Sequence, residues 1–267
     1  MVEAPFDQLD IESQSDTYGI TLDHPLLRTR NHEIHLGVTG EWRTSKTKLD
    51  DTCFSFVLGT RDCRTKVSVL RTFAGWSWST SNLVVAARAT WSLGFHALVS
   101  TNRPSPLPDS KFVSWLAQVQ MAHRLPDEWL GTEIIARFDA QVADDALVGI
   151  EKFSVGGMRT VRGYRENQYV RDNGLIASVE VRIPIWRDRN GRTIAQLAPF
   201  FDYGRSWNNE NITHKEELAS VGVGIRLSPW DWLHGELYWG GRLKKAPKLS
   251  DDIQNDGIHF AIYITAF

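Results

Sequence analysis

Few side chains in this sequence are spaced so that they could carry out a reaction. His32 and His35 form an HxxH pair that does not match the HExxH of a zinc protease, and no GxSxG elbow or glycine-rich phosphate loop occurs. The other histidines are scattered, so a hydrolase would have to bring Ser, His and Asp together from distant positions. Cys53 and Cys63 share a polar segment without a CxxC or a matching histidine pair, which argues against a metal site. A loop disulfide and two free thiols both fit them. Two other stretches stand out: Val161-Arg162-Gly163-Tyr164, and Phe200-Phe201-Asp202-Tyr203-Gly204. Taken singly, they are an arginine in a solvated loop and an aspartate in a turn.

The elements that must position these groups are strands. The chain has 267 residues, 42% hydrophobic and 23% charged, an ordinary balance for a folded protein. A formal net charge of -2 offers no basic surface for nucleic acid. No apolar run is long enough for a spanning helix, and the segment MVEAPFDQLDIESQS lacks the apolar core of a signal peptide. Period two dominates instead. In Leu175 to Trp186, the residues Leu175, Ala177, Val179, Val181, Ile183 and Ile185 share one face, while Ser178, Glu180 and Arg182 occupy the other. Glu217 to Ser228, Thr132 to Ala146 and Asn82 to Leu98 repeat the pattern. Less regular strands are read at Thr17 to His24, His32 to Thr44, Lys66 to Trp78, Phe112 to Leu125, Ile194 to Trp207, Leu233 to Gly241 and Gly257 to Phe267. That is an all-β chain of about eleven consecutive antiparallel strands.

The connections alternate. Pro25 to Asn31, Ser79 to Ser81, Pro126 to Gly131, Arg187 to Thr193 and Pro229 to Trp232 are short; Ser45 to Thr65, Val99 to Lys111, Leu147 to Gly174, Asn208 to Lys215 and Arg242 to Asp256 are long. Short turns at one end and long loops at the other are the pattern of an up-and-down outer-membrane β-barrel. Trp76, Trp78, Trp129, Trp186, Trp230 and Trp232 cluster at the short turns, and Trp42 and Trp207 lie near the opposite ends, as aromatic rings do where membrane meets water. The chain closes on Phe267, with Tyr263 on the same strand face. The more apolar face of that strand is the other one, Ile258, Phe260, Ile262 and Ile264, which leaves its register open.

Phe153 to Asn173 resembles the characteristic loop of two-partner secretion outer-membrane transporters of the haemolysin activation/secretion type (TpsB; ShlB/FhaC/HecB-like) and of their barrel-assembly relatives. The core is VRGY, Val161 to Tyr164. Glu151-Lys152-Phe153 and Gly156-Gly157 resemble its approach, and Asp172-Asn173-Gly174 its exit. Phe200, Asp202 and Gly204 match the family's F-x-D-x-G. The resemblance implies that Arg162 reaches inside the barrel to Asp202, a guanidinium fork on a carboxylate. Period two independently puts Asp202 on the less greasy face of its strand, and Glu180 and Arg182 on the lumen face one strand away, as alternative partners. Family barrels have sixteen strands. Counted back from Phe267, residues 1–267 would be the C-terminal part of one, with residues 147–174 as a loop inserted in its lumen and no POTRA domain in view.

The function so implied is a bacterial outer-membrane pore that passes one secreted polypeptide, an adhesin or haemolysin, without catalytic residues, cofactor or metal. Its partners would be that client, outer-membrane lipid, and the barrel-assembly machinery reading Phe267. An insertase for other barrel proteins is the alternative within the superfamily. A barrel-borne hydrolase and a general diffusion porin are the alternatives outside it.

Overall fold

Period two in the sequence becomes one long antiparallel sheet. The computed structural model describes residues 11–49, 52–53, 64–97, 100–102, 107–210, 215–247 and 253–265. Cys63 and Phe267 lie outside them, as does the side chain of Cys53. The strands are β1 (Ile11–Arg28), β2 (His32–Leu49), β3 (Thr52–Cys53), β4 (Arg64–Ser79), β5 (Leu83–Phe95), β6 (Phe112–Arg124), β7 (Glu133–Ala143), β8 (Phe153–Val155), β9 (Tyr169–Arg171), β10 (Asn173–Arg187), β11 (Thr193–Trp207), β12 (Lys215–Trp230), β13 (Leu233–Arg242) and β14 (Ile258–Ile264). Eleven of them pair neighbour to neighbour in the order β1-β2-β4-β5-β6-β7-β10-β11-β12-β13-β14, with β3 beside β2. β8 and β9 form a separate small hairpin inside the longest loop.

Several strands outrun their sequence pattern. β1 and β2 have 18 residues each, paired from Ile11↔Leu49 to Arg28↔Glu33. At about 3.3 Å per residue each is nearly 60 Å long, roughly twice the hydrocarbon thickness of a bilayer. The first short connection therefore shrinks: Pro25 belongs to β1, at a register shift before Leu27, and only Thr29 to Asn31 make the turn. Asp127–Trp129 forms a short 3-10 turn in another of these connections.

One face of the sheet is greasy and bare. Val221, Val223, Ile225 and Leu227 on β12, Phe138 and Val142 on β7, and Leu237 and Trp239 on β13 are all exposed. Hydrocarbon is the solvent that such a face fits. On β14 Phe260, Ile262 and Ile264 are the most exposed, while His259 is buried and Tyr263, less exposed than they are, borders an inner cavity. The apolar face of the last strand thus points outward. Trp76, Trp129, Trp186, Trp230 and Trp232 are exposed at the short-turn end. At the other level the exposed indoles are Trp91, Trp115 and Trp239, and not the half-buried Trp42 and Trp207.

The opposite face is concave and holds the core. Val67, Val69, Phe112, Leu147 and Val148 form one buried cluster, and Phe153, Val155, Val161, Tyr164, Ile176 and Leu218 another. Each joins residues of the sheet to residues of the 144–172 loop. That loop touches β2 and β4 through Glu151, and β12 through Tyr164. A single loop in contact with strands so far apart in the order requires the sheet to curl around it.

Candidate functional site

Backbone geometry brings the VRGY segment against the wall. Gly163 has φ +89° and packs on Gly240, whose carbonyl oxygen a Cβ at Gly163 would meet at 2.7 Å. Only a glycine tolerates both conditions. On the wall, a Cβ at Gly204 would lie 2.4 Å from Val155 Cγ1 and 2.8 Å from Val161 Cγ2. The bare backbone of Gly204 is the floor on which the two valines rest, which gives the last glycine of F-x-D-x-G a steric role.

Beside it, Arg162 lies across the Asp202 carboxylate in a two-pronged contact. Nε donates to Oδ2 at 2.8 Å and Nη2 to Oδ1 at 2.8 Å, while the Arg162 backbone N–H donates to Oδ2 at 3.0 Å. The third guanidinium nitrogen, Nη1, donates to Glu180 Oε2. Ser178 Oγ donates to Asp202 Oδ1 at 2.6 Å, so both carboxylate oxygens are held. Asp202 is fully buried and Arg162 and Glu180 nearly so. The guanidinium carbon sits 3.6 Å above the Phe200 ring and 4.8 Å from that of Tyr238. Phe200 therefore supplies a cation–π face as well as a place in the motif.

Arg182 does not meet Arg162. It donates from Nε to Glu180 Oε1 at 2.7 Å, the carboxylate oxygen that Arg162 leaves free. As a cation it can only neutralise the shared Glu180, so two guanidiniums and two carboxylates balance in the wall. Burial works against the charge on Arg162, but the Asp202 hydrogen bonds and the fields of Asp202 and Glu180 outweigh it and keep the guanidinium protonated beyond its ordinary range.

Tyr164 is fully buried, with its hydroxyl 2.8 Å from the carbonyl oxygens of both Ala219 and Lys244. It donates to one at a time and accepts the Lys244 N–H at 3.1 Å. Gly163 has both backbone groups occupied: its N–H donates to His259 Nε2 at 3.0 Å and its carbonyl accepts from Arg242 Nε at 2.6 Å. The loop's base is closed by Asp172, whose carboxylate accepts from the Leu147 and Asn209 backbone N–H groups at 3.0 Å each and pairs with Lys152. Further back, Glu151 joins the loop to β2 and β4 by pairing with Arg43 at 2.9 Å and Arg71 at 2.8 Å.

Below Arg162 a cavity of about 350 Å³ opens, lined by Arg137, Arg159, Arg182, Arg226, Glu180 and Glu236 among others. The inner face is charged and water-compatible where the loop does not cover it.

Tyr238, Ser178, Arg242 and His259 are the site residues that motif reasoning missed. Alternation along their strands places them on the inner face, but nothing in their spacing says which inner residues the loop tip will meet.

A profile of the haemolysin secretion/activation protein family ShlB/FhaC/HecB matches residues 1–227. Among solved structures the chain is similar to CdiB from Escherichia coli, with TM-score 0.73 and 17% identity over 96% of this chain and 45% of that one. It is similar also to CdiB from Acinetobacter baumannii, with TM-score 0.73 and 15% identity over 96% and 42%. BamA from Haemophilus ducreyi lacking POTRA domains 1-3 aligns with TM-score 0.63 and 13% identity over 94% and 55%. The chain thus spans under half the length of either CdiB chain. No curated protein matches the sequence. At these identities the structural likeness speaks for the fold, an outer-membrane β-barrel wall, while the profile covers most of the sequence: the chain belongs to the ShlB/FhaC/HecB family of haemolysin secretion/activation proteins, barrels of the bacterial outer membrane.

Proposed function

We propose that this chain forms the C-terminal part of the wall of an outer-membrane pore that passes one secreted polypeptide, an adhesin or haemolysin, with residues 147–174 as a loop seated in its lumen. The observation that carries the reading is the seat of Arg162, which ties a long loop to the concave face through Asp202 and Glu180. A concave face that is polar below the loop suits an extended chain, and the bare apolar outer face suits lipid. No bond is made or broken in this work. Folding of the client outside would supply direction, and Phe267 would serve the assembly machinery.

Removing the guanidinium would leave the buried Asp202 without a cation and Glu180 with Arg182 alone, at a cost on the order of 3–5 kcal/mol. In the full transporter, Arg162→Ala should lower secretion of the partner by about tenfold or more while heat-modifiable, folded barrel stays in the outer membrane, because a shift of that size repopulates a two-state loop. Arg162→Asp combined with Asp202→Arg should recover part of the secretion. Normal secretion by Arg162→Ala would overturn the anchoring role. The BamA likeness favours a second reading, an insertase for other barrel proteins. Client secretion separates the two, since an insertase would instead show defects in unrelated outer-membrane proteins.

A further inference from the structure

The tip of the loop is tied to more than Asp202. His259 lies on β14, the last strand of the sheet, and only 5% of its surface is exposed. Its Nε2 accepts the Gly163 N–H at 3.0 Å, one residue along from Arg162. The same corner is closed by backbone contact: Gly257 has φ +80°, and a Cβ there would come within 2.2 Å of the Gly240 carbonyl and 3.5 Å of Gly163 Cα. Tyr238 pairs with His259 across β13 and β14, and its ring also lies beside the Arg162 guanidinium. Loop tip, β13 and β14 therefore share one packed unit.

We infer that His259 is a positioning residue that couples the loop tip to the last strand, and that it does so as a neutral imidazole with Nε2 as acceptor. An imidazolium has donors at both nitrogens and no lone pair for the Gly163 N–H. The charged groups around it are Arg162 and Glu166 from the loop, Arg242 from β13 and Asp202 from β11, with the Tyr238 phenol next to it. Arg162 already occupies Asp202, and Arg242 holds the Gly163 carbonyl, so a third cation in this corner meets two guanidiniums whose acceptors are already engaged. Protonation exchanges a hydrogen bond for a donor facing a donor. The strand that ends the sheet then loses this hydrogen bond to the loop. This coupling does not depend on what passes through the lumen.

The test is amide exchange on the full transporter, following Gly163 and the β13–β14 pairs. His259→Phe should lower protection at Gly163 and along β14 together, by about fivefold or more. His259→Gln, whose side-chain oxygen reaches the position of Nε2, should restore it. Protection that is unmoved in the phenylalanine variant, or lost equally in the glutamine variant, overturns the coupling. The glutamine arm stands even if the phenylalanine variant fails to fold: a folded glutamine variant that lacks protection at Gly163 overturns the acceptor role.

Discussion

Gly163 has little conformational freedom. Its φ of +89° and its contact with the Gly240 carbonyl leave no place for a methyl group. Gly163→Ala should therefore cost about 1–3 kcal/mol and lift the tip from its seat. Limited proteolysis should then cut within residues 156–168 at protease levels that spare the natural protein. Gly149→Ala, where a Cβ would meet nothing within 4 Å, is the matched control and should leave the loop intact. At this scale the sequence was half readable. Asp202 was visible because motif and alternation name it independently, and Arg162 through the motif alone. Tyr238 and His259 were not, since a strand pattern assigns a face but not the loop residue that will land on it. Arg182 shows the reverse: its face was legible, yet its role follows from Glu180 having two oxygens to satisfy.

On a single strand, neighbouring residues see different solvents. On β6, Val119 is exposed on the outer face beside Phe138, and Gln120 faces inward opposite Arg137. Val119→Arg should cost about 2–4 kcal/mol, the penalty for a cation near the bilayer midplane, whereas Gln120→Arg should change stability by less than about 1 kcal/mol. Urea titration in lipid vesicles, read by heat-modifiable mobility, measures both. Equal costs would mean that the outer face does not meet lipid. The same contrast explains which elements could be read from sequence. Alternation is clean where one face touches hydrocarbon, as in β10 and β12. It fades in the upper parts of β1 and β2, which rise past the bilayer and carry polar residues on both faces, so the chain pattern under-reads their length. It misleads on the inner faces of β4 and β6, where Val67, Val69 and Phe112 are apolar because the loop covers them.

Across the whole molecule, the loop has two anchors on opposite parts of the wall. Arg162 and Tyr164 bind β10 to β12, and Glu151 binds β2 and β4 through two arginines, one of which also pairs with Glu41 at 3.1 Å. A tie of this kind limits how far the sheet can open. Glu151 is buried, so Glu151→Ala breaks a charge network at a cost on the order of 3–5 kcal/mol and leaves Arg43 and Arg71 to find other acceptors. Spin labels at Leu70 on β4 and Val221 on β12, both on the outer face, report the curvature without touching the loop. In the full transporter Glu151→Ala should broaden the distance distribution between them, and adding Arg162→Ala should broaden it further than the sum of the single changes if both anchors hold one rigid strut. If Glu151→Ala leaves the distribution unchanged, the right-handed twist of the strands alone sets the curvature, and the loop is a passenger on a wall that would keep its shape without it.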